Sequence, residues 1–305
     1  TEVLLSGVAG KWGENAKIIP MYFSVTYMVR GLHQSTNVQL VTDEDLVPTL
    51  LDGVAYNAVS LAKDRKGGGT SRIRFTVTAQ GEKEGPIRLR RENMFYSSKD
   101  IGKITNSELN IALDMLMNNR FDTVKIFDVN VDVETSAQCE VAELVSASFP
   151  NQPVVQGGDL PIRLTFKPYR AKDFTRTIHF KVPDKQKPGP MNLIVRSGNA
   201  TQWLQNALNR RNQQNAGDEQ MAGSMANAQR EFKDFLSDFN SMDANNEIVV
   251  DLAQNLDSVE AKDGDAQSFA SGVSTLLKGS PNKQKYTMDF IISGETGITV
   301  QVKKR

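Results

Sequence analysis

The side chains best suited to general-base, nucleophilic or metal chemistry near neutral pH are few in this sequence, namely His33, His179 and Cys139. His179 alternates with Ile178 and Phe180, so we expect it to face away from them, toward solvent or an open sheet surface. His33 lies in a predicted turn between strands. Cys139 has neither an imidazole nor a helix start near it in the sequence to activate its thiol. We therefore predict no catalytic residue, no metal ligand and no cofactor.

Three stretches of the sequence invite comparison with ligand-binding loops. The glycines of KGGGTS at 66–71 lie between a predicted helix and a predicted strand, the reverse of the order in a phosphate loop. GVAGKWGE at 7–14 lacks the dinucleotide spacing. SDFNSMDANNE at 237–247 is acidic and rich in amides, but it has no central glycine of a calcium loop. We predict ordinary turns at all three.

Aromatic side chains are the remaining candidates for a binding surface. Trp12 and Trp203 are far apart in the sequence, and Tyr169 lies at the end of a predicted strand. Packing in a core is the commoner use of such residues. The ligand-binding residues are therefore unknown from the sequence, and Trp203 and Tyr169 are the candidates for a glycan contact.

The bulk composition argues against several classes of partner. The 36 basic and 36 acidic residues cancel, which leaves no long-range field to attract nucleic acid or an acidic membrane surface. A single cysteine rules out an internal disulfide. No stretch approaches the roughly 20 apolar residues of a membrane helix. We predict no nucleic-acid partner and no membrane span.

The first part of the chain predicts a mixed α+β domain over residues 1–120. Residues 16–29 are rich in β-branched and aromatic types, which favour a strand. Residues 42–65 have apolar side chains at helical spacing, and 98–118 predict a second helix. Between them, 71–93 alternates strictly around a turn and predicts two paired strands.

Residues 121–198 predict an antiparallel β-sandwich with an Ig-like fold. Short alternating runs recur there, separated by turn sequences rich in proline and glycine. The runs are TVKIFDVNVDVET, AQCEVAELVSASF, LPIRLTFKPYR, FTRTIHFKVP and MNLIVRSG. The overall fold class is therefore mainly β with some α (α+β), with the sandwich in the middle of the chain and mixed segments around it.

The last part, residues 199–305, predicts a helical segment followed by a C-terminal β-hairpin. An apolar stripe at helical spacing must pack on another part of the molecule, and it consists of Phe232, Phe235, Leu236 and Phe239. The final segment YTMDFIISGETGITVQVKK predicts the hairpin.

Several segments together resemble the region downstream of the catalytic part in bacterial sporulation protein IVB serine peptidases. The most specific is the strand followed by Pro-Tyr-Arg and a later proline-glycine turn. The matching stretches are GVAGKWGENAKIIPM at 7–21, DEDLVPTLLDGVAYNAVS at 43–60, GGGTSRIRFTV at 67–77, RENMFYSSKDIG at 91–102, NNRFDTVKIFDVNVDVE at 118–134, GGDLPIRLTFKPYRAKDFTRTIHFKVP at 157–183 and NLIVRSG at 192–198.

This resemblance implies an exported bacterial protein that acts outside the cytoplasmic membrane, in the periplasm or cell envelope. The family's serine, histidine and aspartate motifs lie upstream of the matched region, so no catalytic residue carries over to this chain. The chain opens with Thr1 rather than methionine, and we expect a fragment of a longer protein. The resemblance thus implies a partner in the same polypeptide, an upstream peptidase-like domain.

We carry three functional hypotheses from the sequence. The first is a non-catalytic accessory, structural or protein-binding region of such a peptidase-like protein. It would contact a protein or an envelope component through sheet edges and the faces flanking residues 157–198. The second is a free-standing cell-envelope or glycan-binding protein. The third is an unrecognised hydrolase that works through carboxylates, although no pair of acidic residues stands out from solvated charge.

Overall fold

The computed structural model describes a mainly β chain with several sheets and a smaller helical part, which confirms the predicted α+β, β-rich class. The described residues are 18–27, 31–41, 43, 46–63, 67–119, 122–198, 232, 236–237, 239–252 and 282–304. The chain forms two compact units. Unit 1 comprises residues 1–139 and 200–242, and unit 2 comprises residues 140–199 and 243–305.

Unit 1 is built on one five-stranded sheet with the strand order β2-β1-β5-β3-β4. Neighbouring strands are antiparallel except β1 and β5, which run parallel. The strands are β1 (Ile18–Tyr27), β2 (Leu32–Val41), β3 (Gly69–Gly81), β4 (Gly85–Ser97) and β5 (Val124–Ser136).

One face of this sheet is covered by the helices α1 (Val47–Lys63), α2 (Gly102–Thr105) and α3 (Ser107–Met117). The inward strand residues and the apolar helix faces form one buried core. Because successive side chains of a strand point to opposite sides, the other set of strand residues faces away from the helices. The buried Phe232 and Phe239 and the partly buried Leu236 join this core, which confirms the predicted packing for these members of the stripe.

Unit 2 contains two sheets that share one hydrophobic core. The five-stranded sheet has the order β12-β11-β10-β14-β7, and the four-stranded sheet has the order β13-β6-β8-β9. The strands are β6 (Val141–Ser148), β7 (Val154–Val155), β8 (Asp159–Pro168), β9 (Phe174–Lys181), β10 (Gly189–Ser197), β11 (Glu247–Leu252), β12 (Gln284–Thr287), β13 (Ile291–Ser293) and β14 (Glu295–Lys303).

The first run that we expected in the sandwich, now strand β5, belongs instead to the sheet of unit 1. Its inward residues Val129, Val131 and Val133 are buried in the core beneath the helices. The chain therefore passes from unit 1 to unit 2 after residue 139, whereas the predicted domain boundary lay at 120–121. An alternating pattern identifies a strand but carries no information about which strands it pairs with.

The predicted C-terminal β-hairpin is wrong. Strand β12 pairs with β11, β13 pairs with β6 in the other sheet, and β14 pairs with β10 and β7. Backbone bonds from Ile291 N–H to Glu140 O (2.9 Å) and from Ile292 N–H to Asn245 O (2.9 Å) draw this segment away from β12. Gly294, with a φ of +92°, then permits the turn into β14.

None of the helices described here is long and apolar enough to cross a membrane.

Candidate functional site

The structure brings His179 on β9 next to a carboxylate that the sequence analysis did not connect with it. Its Nδ1 lies 2.6 Å from Oδ2 of Asp159, which stands on the neighbouring strand β8. The two strands are paired so that Asp159 lies opposite Lys181 and Pro161 lies opposite His179, which makes the contact between Asp159 and His179 a diagonal one. Finding this contact required the register of β8 against β9, which the alternation within each strand does not give.

Tyr286 on β12 completes this cluster through the backbone. Its hydroxyl donates to the carbonyl oxygen of His179 at 2.6 Å. Burial, together with the negative charge of Asp159, raises the pKa of Tyr286 to about 12. The phenol therefore stays protonated at neutral pH and remains a hydrogen-bond donor that ties β12 to β9.

The side chains of His179 and Asp159 are 61% and 54% exposed, so water surrounds the pair. In the part of the chain that the structure describes, no hydroxyl or thiol hydrogen-bonds to this imidazole. A general base acts on a nucleophile held within hydrogen-bond reach, and a solvated strand surface does not exclude water from a reaction. The arrangement is therefore a solvent-exposed hydrogen bond between side chains of two neighbouring strands.

His33 lies in strand β2 rather than in the preceding turn. Its Nδ1 is 3.0 Å from the hydroxyl of Thr26, and its Nε2 is 3.2 Å from the hydroxyl of Ser35. Ser35 and His33 share one face of β2 because they are two residues apart. The imidazole is thus bonded to hydroxyls at both nitrogens on an open sheet surface, where a histidine serves as a polar surface group.

Cys139 lies between β5 and β6, outside both strands, and is a partly exposed free thiol.

Tyr169 is 52% exposed, and the guanidinium carbon of Arg170 lies 4.9 Å from the centre of its ring. Arg170 has a φ of 54°, in the left-handed region that side chains other than glycine seldom adopt. The candidates Trp12 and Trp203 lie outside the described residues.

Several polar side chains of the acidic stretch 237–247 form bonds within the protein. Asp243 contacts Arg196 at 2.9 Å, Lys283 at 2.7 Å and Lys285 at 2.9 Å. Burial alone would raise a carboxyl pKa, but the lysine bonds outweigh it and lower the pKa of Asp243 to about 2. Its negative charge is therefore committed to neighbouring cations. In the same described residues, no cluster of three or more metal-ligand side chains is found.

A broad polar surface of the described residues is the side of the unit 1 sheet that faces away from the helices, which we call the outer face. All five strands contribute to it, and most of its side chains are exposed or half-buried. It includes Tyr22, Ser24 and Thr26 on β1, His33, Ser35 and Asn37 on β2, Arg72, Arg74 and Thr76 on β3, Arg88, Arg90 and Glu92 on β4, and Asp128, Asn130, Asp132 and Glu134 on β5.

The charges of the outer face are sorted into two stripes. The acidic stripe runs along the central strand β5 and consists of Asp128, Asp132 and Glu134. The basic stripe runs along β3 and β4 and consists of Arg72, Arg74, Arg88 and Arg90, with Glu92 among them. Asp132 stands directly opposite Arg74, and Glu134 directly opposite Arg72, across the β3–β5 pairing.

Ion pairs within the chain hold the stripes in place. Arg74 lies 3.1 Å from Glu134 through Nη2 and 3.4 Å from Glu92 through Nε, and Arg72 lies 3.8 Å from Glu92. Burial disfavours the charged guanidinium, but Glu134 and Glu92 outweigh that effect and raise the pKa of Arg74. An open groove of about 290 Å³ crosses the face beside these residues, and its lining includes Arg90, Asn130 and Asp132.

The free edge of β4 is closed by a side chain. The amide of Asn240 accepts from Arg90 N–H at 2.7 Å and donates to Arg88 O at 3.1 Å, which imitates a neighbouring strand. Arg91, on the opposite side of β4, donates to Met242 O at 2.7 Å. These bonds fix residues 240–242 at the edge of the sheet and leave the outer face uncovered by them.

A buried ion pair beneath the sheet secures this arrangement. Arg91 and Glu108 form two bonds of 2.7 and 3.1 Å, with side chains only 3% and 1% exposed. Asn93 donates to the same carboxylate at 2.6 Å. A buried charge requires such complete pairing, so the cluster is suited to positioning β4, α3 and the chain near residue 242.

The alternation at 71–93 predicted two paired strands, but the charge stripes were not predicted. Stripes depend on which strands are neighbours, and the central position of β5 was the part of the fold that the sequence analysis misplaced. The residue spacing within each strand therefore indicates which side chains share a face, but not which strands lie side by side.

Comparison with known proteins identifies no relative for this chain. No protein-family model matches the sequence, and neither the curated proteins nor the solved structures contain a match. The resemblance to the sporulation protein IVB family accordingly stays a prediction that rests on the residues quoted for it.

Proposed function

We propose that this chain is a non-catalytic protein-binding region and that the outer face of unit 1 is its binding surface. The observation that carries this proposal is that a five-stranded sheet keeps a whole polar face, with its arginines and carboxylates in fixed positions, clear of the helices that cover its other side. Arginine is enriched in protein interfaces because its planar guanidinium binds carboxylates in a defined geometry.

The chemistry of the remaining polar groups supports a binding role over catalysis. His33 and His179 both lie on open strand surfaces. Glu108, the most deeply buried carboxylate of the network, is fully engaged by Arg91 and Asn93. These groups suit structure and recognition, so the carboxylate hydrolase is the weakest of the three hypotheses.

The resemblance supports a more specific setting. On that basis we propose that the chain belongs to an exported bacterial protein of the sporulation protein IVB type, outside the cytoplasmic membrane, where it assists an upstream peptidase-like domain. We also propose an Ig-like β-sandwich for unit 2, supported by two sheets that share a core. The parallel pairs β13–β6 and β14–β7 depart from a purely antiparallel sandwich.

A second candidate function is binding to an envelope glycan through Tyr169. The exposed ring of Tyr169, stacked with Arg170, offers the flat aromatic surface that sugar rings pack on. Pull-down with insoluble peptidoglycan would test it: Tyr169→Ala should abolish retention, and Tyr22→Ala, which removes an equally exposed ring from unit 1, should retain it. Equal retention of both variants argues against this candidate.

Site-specific photo-crosslinking in the native cell tests the leading proposal. A benzophenone amino acid at Thr76, in the centre of the outer face, should give an adduct with a protein, and Arg74→Asp should suppress that adduct. The same photoreactive residue at the exposed Thr177 of unit 2 is the matched control. Absence of any protein adduct at Thr76, or an adduct insensitive to Arg74→Asp, would contradict the proposal.

A separate experiment tests the proposal that the chain is not catalytic. The purified chain should neither cleave casein nor become labelled by a fluorophosphonate serine reagent. Cleavage that this reagent blocks would overturn the assignment.

A further inference from the structure

We propose that the outer face binds the outer face of a second copy of this chain, with the acidic stripe of each copy against the basic stripe of the other. This inference rests on the proposed function and specifies its partner. The two stripes are parallel and adjacent on a single surface, and such a surface is complementary to itself.

The symmetry operation follows from the strand order. A twofold axis that lies in the interface, parallel to the strands and between β5 and β3, places the β5 strand of one copy over β3 of the other. It also keeps every row of side chains at its own height along the strands. Asp132 then faces the partner's Arg74, and Glu134 faces the partner's Arg72, each contact occurring twice as in any isologous dimer.

The same operation also matches the flanking strands. Tyr22, Asn130, Thr76 and Arg90 form one row across the sheet, because each lies opposite the next in the strand pairings. Rotation about the axis sets β1 over β4, so Tyr22, which is 47% exposed, faces the partner's Arg90. A guanidinium over an aromatic ring is a favourable contact.

The size of the surface suits a weak, reversible pair. The operation matches β1, β5, β3 and β4 and leaves β2 outside the contact. Four strands about 4.8 Å apart, with rows of same-face side chains repeating about every 6.8 Å, give a footprint of about 520 Å² for four rows. Two copies would bury about 1,000 Å², at the small end of protein interfaces, where weak and transient pairs are found. Since stacked twisted sheets cross at about 30°, the contacts nearest the axis, Asp132 with the partner's Arg74, align best.

Charge is the main attraction in this interface, so its strength should depend on salt. Exposed charges are screened over about 10 Å at 0.1 M ionic strength and over about 3 Å at 1 M. We expect sedimentation velocity of the purified chain to show a monomer–dimer equilibrium at about 50 mM salt, and a monomer at about 1 M.

Charge reversal gives the sharpest test. Asp132→Arg and Arg74→Asp should each weaken the dimer on the order of tenfold or more, because each sets like charges against each other. Mixing the two variants should restore a heterodimer. In this heterodimer, the arginine introduced at position 132 of one chain faces the aspartate introduced at position 74 of the other. The symmetry-related contact joins the unchanged Arg74 of the first chain to the unchanged Asp132 of the second. Because only folded chains can form this heterodimer, its appearance shows that both variants are folded. The control is Arg163→Glu, at an exposed position of unit 2, which should leave the dimer unchanged.

Each outcome distinguishes this inference from the proposed function. A chain that is monomeric at low salt, a dimer unaffected by Arg74→Asp, or a mixture that remains monomeric overturns the self-association. If the Thr76 photoadduct then contains a different protein, binding by the outer face still holds with another occupant. If Thr76 gives no adduct at all, both proposals fail.

Discussion

The two units differ in what covers the faces of their β-sheets. Unit 2 has two sheets that share one core. The apolar side chains on the inner face of each sheet are buried against the inner face of the other sheet. Unit 1 has a single sheet with helices on one side and leaves the other side polar. Among the described residues, the helices therefore leave a broad polar face of unit 1 available for contact with another molecule, which is why we propose binding by unit 1.

The units also differ in how they hold buried charge. Unit 1 encloses the Arg91–Glu108 pair almost completely. Unit 2 keeps Asp243 partly accessible among Arg196, Lys283 and Lys285. Complete burial makes a charge pair indispensable once it is formed, whereas partial exposure lets water compensate for part of its loss. Changes to the two clusters should therefore differ in size.

The largest effect is expected from Glu108→Ala in unit 1. It leaves the buried Arg91 guanidinium without its counter-charge and Asn93 without its acceptor. We expect a loss of about 3–5 kcal/mol in the free energy of unfolding. Urea denaturation followed by circular dichroism measures it. Glu92→Ala, at the exposed ion pair with Arg74, is the control and should change stability by less than about 1 kcal/mol. Similar losses for both variants would refute the contrast between buried and exposed pairs.

An intermediate and pH-dependent effect is expected from Asp243 in unit 2. Its pKa is lowered to about 2 from 3.8, so the folded state binds its proton less readily than the unfolded chain. The resulting stabilisation is fully present above about pH 4 and is lost as the pH falls toward about 2. It amounts to about 2 kcal/mol.

Urea denaturation of the native chain and of Asp243→Asn between pH 2 and pH 5 isolates this contribution. The variant should be less stable than the native chain at pH 5, and the difference should shrink by about 2 kcal/mol on going to pH 2. A difference that stays constant with pH would show that the carboxylate charge is not responsible.

The comparison of the units also indicates which features a sequence reveals. Alternation located β3, β8 and β9, and helical spacing located α1 and the buried Phe232 and Phe239, because these patterns reflect burial on one side of a single element. Partner choice depends on chain segments far apart, and no local pattern encodes it. For that reason β5 was assigned to the wrong sheet and the terminal strands were expected to pair with each other.

The candidate site was hidden for the same reason. The acidic residues of β5 and the arginines of β3 and β4 were each visible as the polar side of a strand. They become two adjacent stripes only when β5 lies next to β3 in the centre of the sheet. The hydrogen bond between His179 and Asp159 likewise depends on the register of β8 against β9.

The smallest loss of stability is expected from two amide side chains, one in each unit. Each of them hydrogen-bonds to the backbone of an edge strand. Asn240 bonds the backbone of β4 in unit 1. Gln284 bonds Lys181 of β9 in unit 2, accepting from its N–H at 2.9 Å and donating to its carbonyl oxygen at 2.8 Å. Asn240→Ala and Gln284→Ala should each lower the free energy of unfolding by about 1–2 kcal/mol. Asn37→Ala, at an exposed position of the outer face, should change it by less than about 0.5 kcal/mol.

These two variants should also differ from the control in solubility, because an uncovered strand edge can pair with an edge of another molecule. Light scattering at increasing protein concentration measures this tendency under conditions where each variant remains folded. Larger scatterers should form with Asn240→Ala and Gln284→Ala but not with Asn37→Ala. If the amide variants scatter no more than the control, the two side chains act only as local hydrogen bonds, and closure of the edges must come from other parts of the chain.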